Sequence, residues 1–163
     1  MKKLDCNDYF LCKFQGKVFK RSLLELDCSS PVFIRRFMNS SLVPALDNKT
    51  ILNTSLYIDD ILYSIDDEYG QTSYGKTRYG QEGLYWIGYI YRVICLCYKK
   101  SSKQIYKLFP SNEIIKYYYI YHTFDPEYAA ERMMENIGYN EDYDQKGLEL
   151  LKELISKEKE EVK

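Results

Sequence analysis

The residue of this chain whose type best suits catalysis is its single histidine, His122. Asp125 follows three residues later and could orient the imidazole for proton transfer with a serine or cysteine nucleophile. However, the chain contains no nucleophile motif such as G-x-S-x-G. A packed or solvent-facing histidine at a helix end is the favoured interpretation, so no catalytic residue is predicted. An enzyme acting through His122 is the third of three functional hypotheses.

Cysteines and acidic clusters are the residues that could ligate a metal ion. The chain has five cysteines but no C-x-x-C pair, and the two-residue spacing of Cys95 and Cys97 points them to different faces of a helix. The acidic clusters at 59–60 and 66–68 lack the spacing of a calcium loop and fit a solvated helix face. The sequence therefore predicts no metal site and no cofactor. An odd number of cysteines behind an N-terminus without an apolar signal segment indicates reduced thiols in a cytoplasmic protein.

Residues 71–80 form a predicted loop with two glycines, two tyrosines and two cations. Gly75 and Lys76 are adjacent and Arg78 lies two residues further on, so the loop could hold an anion at the start of the next helix. The residue order of a P-loop is absent, and a connection built from favourable turn residues is the competing interpretation. The same tyrosines and Arg78 also suit contact with a protein, because Tyr and Arg are common anchors of interfaces.

Tyrosine is the unusual entry in the composition, with 18 residues against 7 phenylalanines and 1 tryptophan. Fifteen of the 18 lie between Tyr57 and Tyr128. The run 117–121 cannot face one core, because consecutive helix residues are about 100° apart around the axis. A protein-binding surface and a core that uses Tyr in place of Leu are both consistent with this pattern. The predicted partner-binding residues are Tyr74, Lys76, Arg78, Tyr79, Tyr117, Tyr118 and Tyr121.

Residues 101–121 also resemble a helix-turn-helix in outline. Residues 101–109 would be the first helix, Pro110 and Ser111 the turn, and residues 112–121 the recognition helix. That helix offers Asn112 and Lys116 to nucleic acid, but Glu113 would oppose the phosphates. The net charge of −1 also disfavours nucleic acid as the main partner. A DNA-binding regulator is therefore the second hypothesis.

The elements that must position these residues are mostly helices. Caps and apolar periodicity predict helices at 32–38, 42–46, 56–69, 84–98, 103–109, 113–121, 125–137 and 147–163. Two aromatic runs on either side of Gly16 predict a β-hairpin over residues 9–24. The apolar segment 84–98 is shorter than the ~20 residues of a bilayer span, so it is interpreted as a buried helix. No membrane contact is predicted.

The predicted fold is mainly α (α+β), a compact helical domain around a central buried helix, with a small N-terminal β-hairpin. Residues 1–163 are assigned to one domain, because no repeat or low-complexity linker divides them. Within it, residues 9–24 form the hairpin and residues 30–138 the helical core. Residues 139–163 form an acidic loop and a C-terminal amphipathic helix.

Five segments together resemble a family of small bacterial proteins associated with toxin–antitoxin or phage-defence operons. These segments are SPVFIRRFMNS (30–40), EYG followed by YGKTRY (68–70 and 74–79), YWIGYIYR (85–92), SSKQIYK (101–107) and YHTFDP (121–126). The resemblance covers roughly residues 30–138 and implies an antitoxin role, in which the chain binds and neutralises a toxin enzyme, with an ADP-ribosyltransferase-like toxin as one candidate. It transfers no functional residue. A small phage-defence or counter-defence protein is an alternative, and a homo-oligomer is left open.

Overall fold

A computed structural model describes residues 1–55 and 57–139 of the chain. These residues form eight α-helices and one 3-10 helix, and they contain no β-strand. The helices are α1 (Cys6–Glu25), α2 (Ser30–Asn39), α3 (Val43–Asp47), the 3-10 helix (Thr50–Asn53), α4 (Ile58–Tyr69), α5 (Gln81–Tyr98), α6 (Ser102–Leu108), α7 (Ser111–Tyr121) and α8 (Pro126–Asn136). The expectation of a mainly helical protein is confirmed. The helix predicted at 147–163 lies outside the described residues.

The chain divides into two units, Met1–Glu131 and Arg132–Lys163. The first unit contains α1 to α7 and all the candidate site residues. Within the described residues, no helix has both the length and the apolar character that a bilayer crossing requires.

The predicted β-hairpin at 9–24 is wrong, because those residues belong to α1. Asp5 and Asp8 start the helix with a reciprocal cap: the Asp8 main-chain N–H donates to Asp5 Oδ1 at 2.9 Å, and the Asp5 N–H donates to Asp8 Oδ2 at 3.2 Å. Leu11, Gln15 and Phe19 are buried at helical spacing. The pattern of aromatic runs around a glycine was therefore a buried helix face and not a pair of strands.

Gly16 is required for packing and not for a turn. A Cβ added at Gly16 would lie 3.0 Å from the main-chain oxygen of Tyr85 in α5. The reverse contact is tighter, since a Cβ at Gly88 would lie 2.7 Å from the main-chain oxygen of Gln15 and 2.7 Å from Cγ of Phe19. The two glycines thus let α1 and α5 approach closely at this crossing.

α5 is the most buried helix of the first unit. Twelve of its eighteen residues are buried, and it packs against α1, α6 and α7. Beside it, α2 begins at the predicted cap, with Ser29 Oγ accepting from Val32 N and Pro31 in the first turn. The rings of Phe33 and Phe37 from α2 lie 5.1 and 4.9 Å from that of Phe19 in α1, mostly edge to face. An aromatic cluster therefore joins α1 and α2.

A buried cation lies at the centre of this assembly. Arg92 of α5 is 0% exposed. Its Nε donates to Gln15 Oε1 at 2.9 Å, and its Nη1 donates to Asp47 Oδ1 at 2.6 Å. The remaining Nη2 donates to Ser102 Oγ at 2.9 Å. One guanidinium thereby connects α5 to α1, to the end of α3 and to the start of α6, and its charge is balanced by Asp47.

Candidate protein-contact surface

The loop 71–80 is hydrogen-bonded to the junction between α1 and α2. The Ser29 N–H donates to the carbonyl of Tyr74 at 3.0 Å, and the Ser30 N–H donates to the carbonyl of Thr77 at 2.9 Å. In return, the Tyr79 N–H donates to Ser30 Oγ at 2.9 Å. The main chain of this predicted contact loop is thus fixed by the helix junction.

Arg78, a predicted partner-binding residue, contacts the protein's own main chain. Its Nη1 donates to the carbonyls of Leu26 and Cys28 at 2.9 and 2.8 Å, and its Nη2 donates to the carbonyl of Leu23. Leu23 belongs to the last turn of α1, whose carbonyls lack partners within the helix. That turn contains no basic residue of its own, so Arg78 supplies the cation that suits a helix C-terminus.

The other three predicted loop residues differ in exposure. Tyr74 and Lys76 are exposed to solvent. Tyr79 is half-buried, and its hydroxyl donates to the carbonyl of Ser111 at 3.0 Å, which connects the loop to the start of α7. Burial, together with neighbouring Tyr119 and Tyr106, raises the pKa of the Tyr79 phenol. Tyr74 and Lys76 are therefore the loop side chains that a partner can reach most easily.

The tyrosines of α7 divide between core and surface. Tyr121 is buried and Tyr117 and Tyr118 are half-buried, whereas Tyr119 is 73% exposed. Ile120 is also 59% exposed. Tyr117, Tyr118 and Tyr121 were the predicted contact residues of this helix, whereas the more exposed Tyr119 and Ile120 were not predicted.

A continuous series of rings runs from α6 to α8. The centroid of Tyr117 lies 5.5 Å from Phe109 and 6.2 Å from Tyr121. Tyr121 is 5.5 Å from Phe124, which is 5.9 Å from Tyr128. A second set begins at Trp86 of α5, 5.8 Å from Tyr118, which also contacts Tyr119 at 5.4 Å. Exposed rings thus rest on the buried Tyr121 in the first set and on the half-buried Tyr118 in the second.

We name as the aromatic surface the exposed rings of these two sets together with the exposed side chain of Ile120. Its members are Tyr119, Ile120, Phe124 and Tyr128. The spacing of three residues from Tyr121 to Phe124 and of four from Phe124 to Tyr128 could have indicated this part of the aromatic surface from the sequence. Trp86 could not have been found in this way, because it comes from α5 and lies 32 residues before Tyr118.

The charge around the aromatic surface is acidic. Residues 111–131 carry four carboxylates and one lysine. That lysine, Lys116, is held by Glu113 at 2.8 Å. Asp125 caps α8 by accepting from the main-chain N–H groups of Glu127 and Tyr128 at 3.0 and 3.1 Å. An apolar patch with acidic neighbours is complementary to a basic surface.

The helix-turn-helix hypothesis has the expected elements, since α6 and α7 are separated by Phe109 and Pro110. Its chemistry is less favourable. The first turn of α7 exposes Asn112 and Glu113, and the only cation of the helix is the paired Lys116. A recognition helix that enters a major groove needs basic or amide side chains free to meet phosphates and bases. The exposed face of α7 is instead aromatic and acidic.

His122 is exposed at the end of α7. Its Nδ1 lies 2.9 Å from the carbonyl of Tyr118, and its ring centroid lies 4.7 Å from that of Tyr118. Asp125, the candidate orienting partner of His122, accepts hydrogen bonds from the main-chain N–H groups that open α8. The structure therefore gives both residues roles at the helix ends.

Potential metal ligands are not grouped in the part of the chain that the structure describes, which holds no cluster of three or more His, Cys, Asp or Glu side chains placed for an ion. Cys6 is exposed and the other four cysteines are buried. Burial raises the pKa of Cys95 to about 11, and those of Cys12 and Cys97 to about 12. These three thiols are uncharged at neutral pH and act as small apolar side chains.

Comparisons of this chain with protein-family models, with curated proteins and with solved structures found no match. Function is therefore inferred from the surfaces of the molecule and from the motifs of its sequence.

Proposed function

We propose that this chain is an antitoxin-like binding protein, which neutralises a partner enzyme by direct contact through the aromatic surface. The observation that carries the proposal is the exposure of Tyr119 and Ile120 on α7, 73% and 59% respectively. Phe124 and Tyr128 are two further exposed rings just after α7, with their centroids 5.9 Å apart. Several exposed large apolar side chains on one helix and the segment after it are typical of protein-interaction sites.

The chemistry of the surface favours a protein partner. Tyr and Phe lose little conformational entropy on binding, because each has only two side-chain torsions. Tyr119 also rests on the half-buried Tyr118, and Phe124 on the buried Tyr121. Tyr119 packs on Tyr118, which in turn packs on Trp86, so the exposed ring is held before any partner arrives. Such preorganised aromatic residues are frequent anchors of protein interfaces.

The acidic neighbours of the surface specify the partner further. Glu113 and Glu131 lie on α7 and α8, the helices that carry Tyr119 and Tyr128, and Asp125 follows Phe124 in the segment between them. Arginine and lysine side chains of a partner can stack on tyrosine rings and pair with these carboxylates. We therefore expect a partner whose contact face combines apolar residues with an excess of arginine or lysine.

The antitoxin role itself follows the family resemblance of residues 30–138. A toxin enzyme, for example an ADP-ribosyltransferase-like one, would be neutralised if the aromatic surface covered its substrate cleft or held it in an inactive form. A phage-defence or counter-defence protein would use the same surface against a different enzyme.

Co-expression with the product of a neighbouring gene tests this proposal. The neighbour alone should slow growth, and the present chain should restore it. The double variant Tyr119→Ser/Phe124→Ser should fail to restore growth, with a loss of binding free energy of about 1–2 kcal/mol for each anchor in calorimetry. The matched control is Tyr57→Ser/Tyr63→Ser, which removes two rings that are 73% and 72% exposed near and on α4.

Two results would contradict the proposal. One is a neighbour that binds both double variants with the affinity of the unaltered chain. The other is the absence of any neighbouring product whose toxicity this chain relieves. A circular dichroism spectrum and a thermal unfolding curve of each variant show that a lost interaction is not a lost fold.

A further inference from the structure

A cleft of about 380 Å³ is lined by residues that do not belong to the aromatic surface. Four lysines line it, contributed by the segment before α1, by the turn after α3 and by the end of α5: Lys2, Lys49, Lys99 and Lys100. Asp47 is the carboxylate among its lining residues. The volume falls in the range of small-molecule sites, about 300–1,000 Å³.

The carboxylate that lines the cleft and the one that pairs with two of its lysines are both matched by cations. Asp8, which is buried and does not line the cleft, forms ion pairs with Lys2 Nζ at 2.7 Å and with Lys49 Nζ. Asp47 is paired with the buried Arg92 at 2.6 Å. Lys99 is exposed and forms no ion pair with any carboxylate of the described residues. Four cations therefore stand against two carboxylates, Asp8 and Asp47, and leave an excess of two positive charges without counting Lys100. The cations are Lys2, Lys49, Arg92 and Lys99.

The main chain at two of the lysines is held in an uncommon conformation. Among the described residues, only Lys49 and Lys99 combine a side chain with a left-handed backbone, at φ 60° and φ 52°. Glycine and asparagine adopt that region with less strain, and a non-glycine residue there costs about 1–2 kcal/mol. Both strained positions carry a lysine, and both lysines line the same cleft. Strain of this kind concentrates at functional sites.

We propose that this cleft binds the phosphate group of a small phosphorylated molecule, with Lys99, Lys49 and Lys2 as its cationic contacts. An excess of two positive charges matches the dianion of a phosphate monoester. Lysine ammonium groups bind phosphate oxygens as point charges with three donors each. The ion pairs with Asp8 hold Lys2 and Lys49 in place, so these two ammonium groups are positioned before the anion enters. The volume leaves room for the organic part of the ligand.

Titrations with inorganic phosphate and with AMP, at constant ionic strength set with chloride, test this site in the full chain. Saturable binding of phosphate is expected, observed by calorimetry or by chemical shifts of the lysine neighbours. Tighter binding of AMP would identify an organic phosphate as the ligand class, and equal binding would identify free phosphate; both support the site. Absence of saturation by either probe, or an equal response to chloride, would overturn it.

Three variants assign the binding to the cleft. Lys99→Asn removes the charge and suits the left-handed backbone, so the fold should persist while affinity falls about tenfold, the loss of one charge-assisted hydrogen bond. Lys99→Arg keeps the charge and should retain binding to within about threefold. Lys17→Gln removes an exposed lysine of α1 outside the cleft and should change nothing. Equal affinities for Lys99→Asn and Lys17→Gln would overturn the proposal, whatever the outcome for the aromatic surface.

Discussion

Arg78 changes its assigned role once its contacts are known. As part of a loop with tyrosines and a lysine, it has the composition of an interface anchor. In the structure its guanidinium donates to three main-chain carbonyls at and beyond the end of α1. An arginine in such a loop can bind a partner or cap the end of a helix of its own chain. The two roles are distinguished only by the carbonyls that it contacts, which lie 50 to 55 residues earlier in the chain.

We expect Arg78→Ala to lower the free energy of unfolding by about 1–2 kcal/mol, because charge-assisted hydrogen bonds to the end of α1 are lost at a partly exposed site. Urea denaturation followed by circular dichroism measures this change. Tyr74→Ala, in the same loop, should alter stability by less than about 0.5 kcal/mol, because only its main chain contacts Ser29. Equal stabilities of the two variants would show that the hydrogen bonds of Arg78 contribute nothing to stability. If Arg78→Ala is the less stable variant, weaker partner binding by it is expected as a consequence of an altered loop.

At the scale of elements, the pairing of α1 with α5 organises the first unit. The helices meet where Gly16 and Gly88 leave no side chain between them. Phe19 then packs beside Gly88 and reaches the rings of α2. Gly83, one and a half turns before Gly88 in α5, faces a different neighbour, since a Cβ there would lie 3.5 Å from Cδ1 of Ile115. Two glycines of one helix thus have different reasons to be glycine.

Gly88→Ala and Gly83→Ala should therefore change stability in opposite directions. At Gly88 the added methyl meets a main-chain oxygen and a ring carbon at 2.7 Å, so the overpacking cost of about 1–3 kcal/mol exceeds the gain in helix propensity of about 1 kcal/mol. At Gly83 the nearest atom is at ordinary contact distance, and up to about 1 kcal/mol of stabilisation is expected. Urea unfolding midpoints of the two variants measure the difference. A Gly88→Ala protein as stable as Gly83→Ala would contradict this account of the helix crossing.

At the scale of the whole molecule, local patterns predicted the helices better than their arrangement. The helices α5 and α7 were predicted to their last residues and to within three residues of their first, because apolar periodicity is visible in consecutive residues. The prediction for α1 was wrong because glycine is typical of turns, and Gly16 was interpreted as one. Gly16 is instead a glycine because Tyr85, 69 residues later, packs against it, and no local pattern of the sequence indicates that contact.

The two candidate sites illustrate the same limit. The sequence indicated that the tyrosines of 117–121 could not all be buried, and the exposure of Tyr119 confirms it. The basic cleft was not predicted, since Lys2, Lys49 and Lys99 are separated by about fifty residues at each step. Net charge concealed it as well, because a chain with a total of −1 can still gather lysines at one place.

The two ion pairs of Asp8 connect the N-terminal segment and the turn after α3 to the first turn of α1. Burial raises the pKa of this carboxyl, but the hydrogen bonds and charges of Lys2 and Lys49, with the Asp5 N–H, outweigh burial and leave the pKa below its ordinary value. The stabilisation is therefore complete above the pKa of an aspartate in the unfolded chain, about 3.9, and disappears as the pH falls through the lower pKa of the folded state.

Acid unfolding of the unaltered chain and of Asp8→Asn tests this linkage. At neutral pH the variant should be less stable by about 2 kcal/mol, because two lysines lose a charged acceptor. The difference should shrink as the pH is lowered below 4, since protonated Asp8 also lacks a charge. Urea unfolding at a series of pH values gives both curves, and Asp59→Asn, on the exposed start of α4, is the matched control with little effect. A constant difference between the unaltered chain and Asp8→Asn at every pH would show that Asp8 stabilises the fold by shape and not by charge.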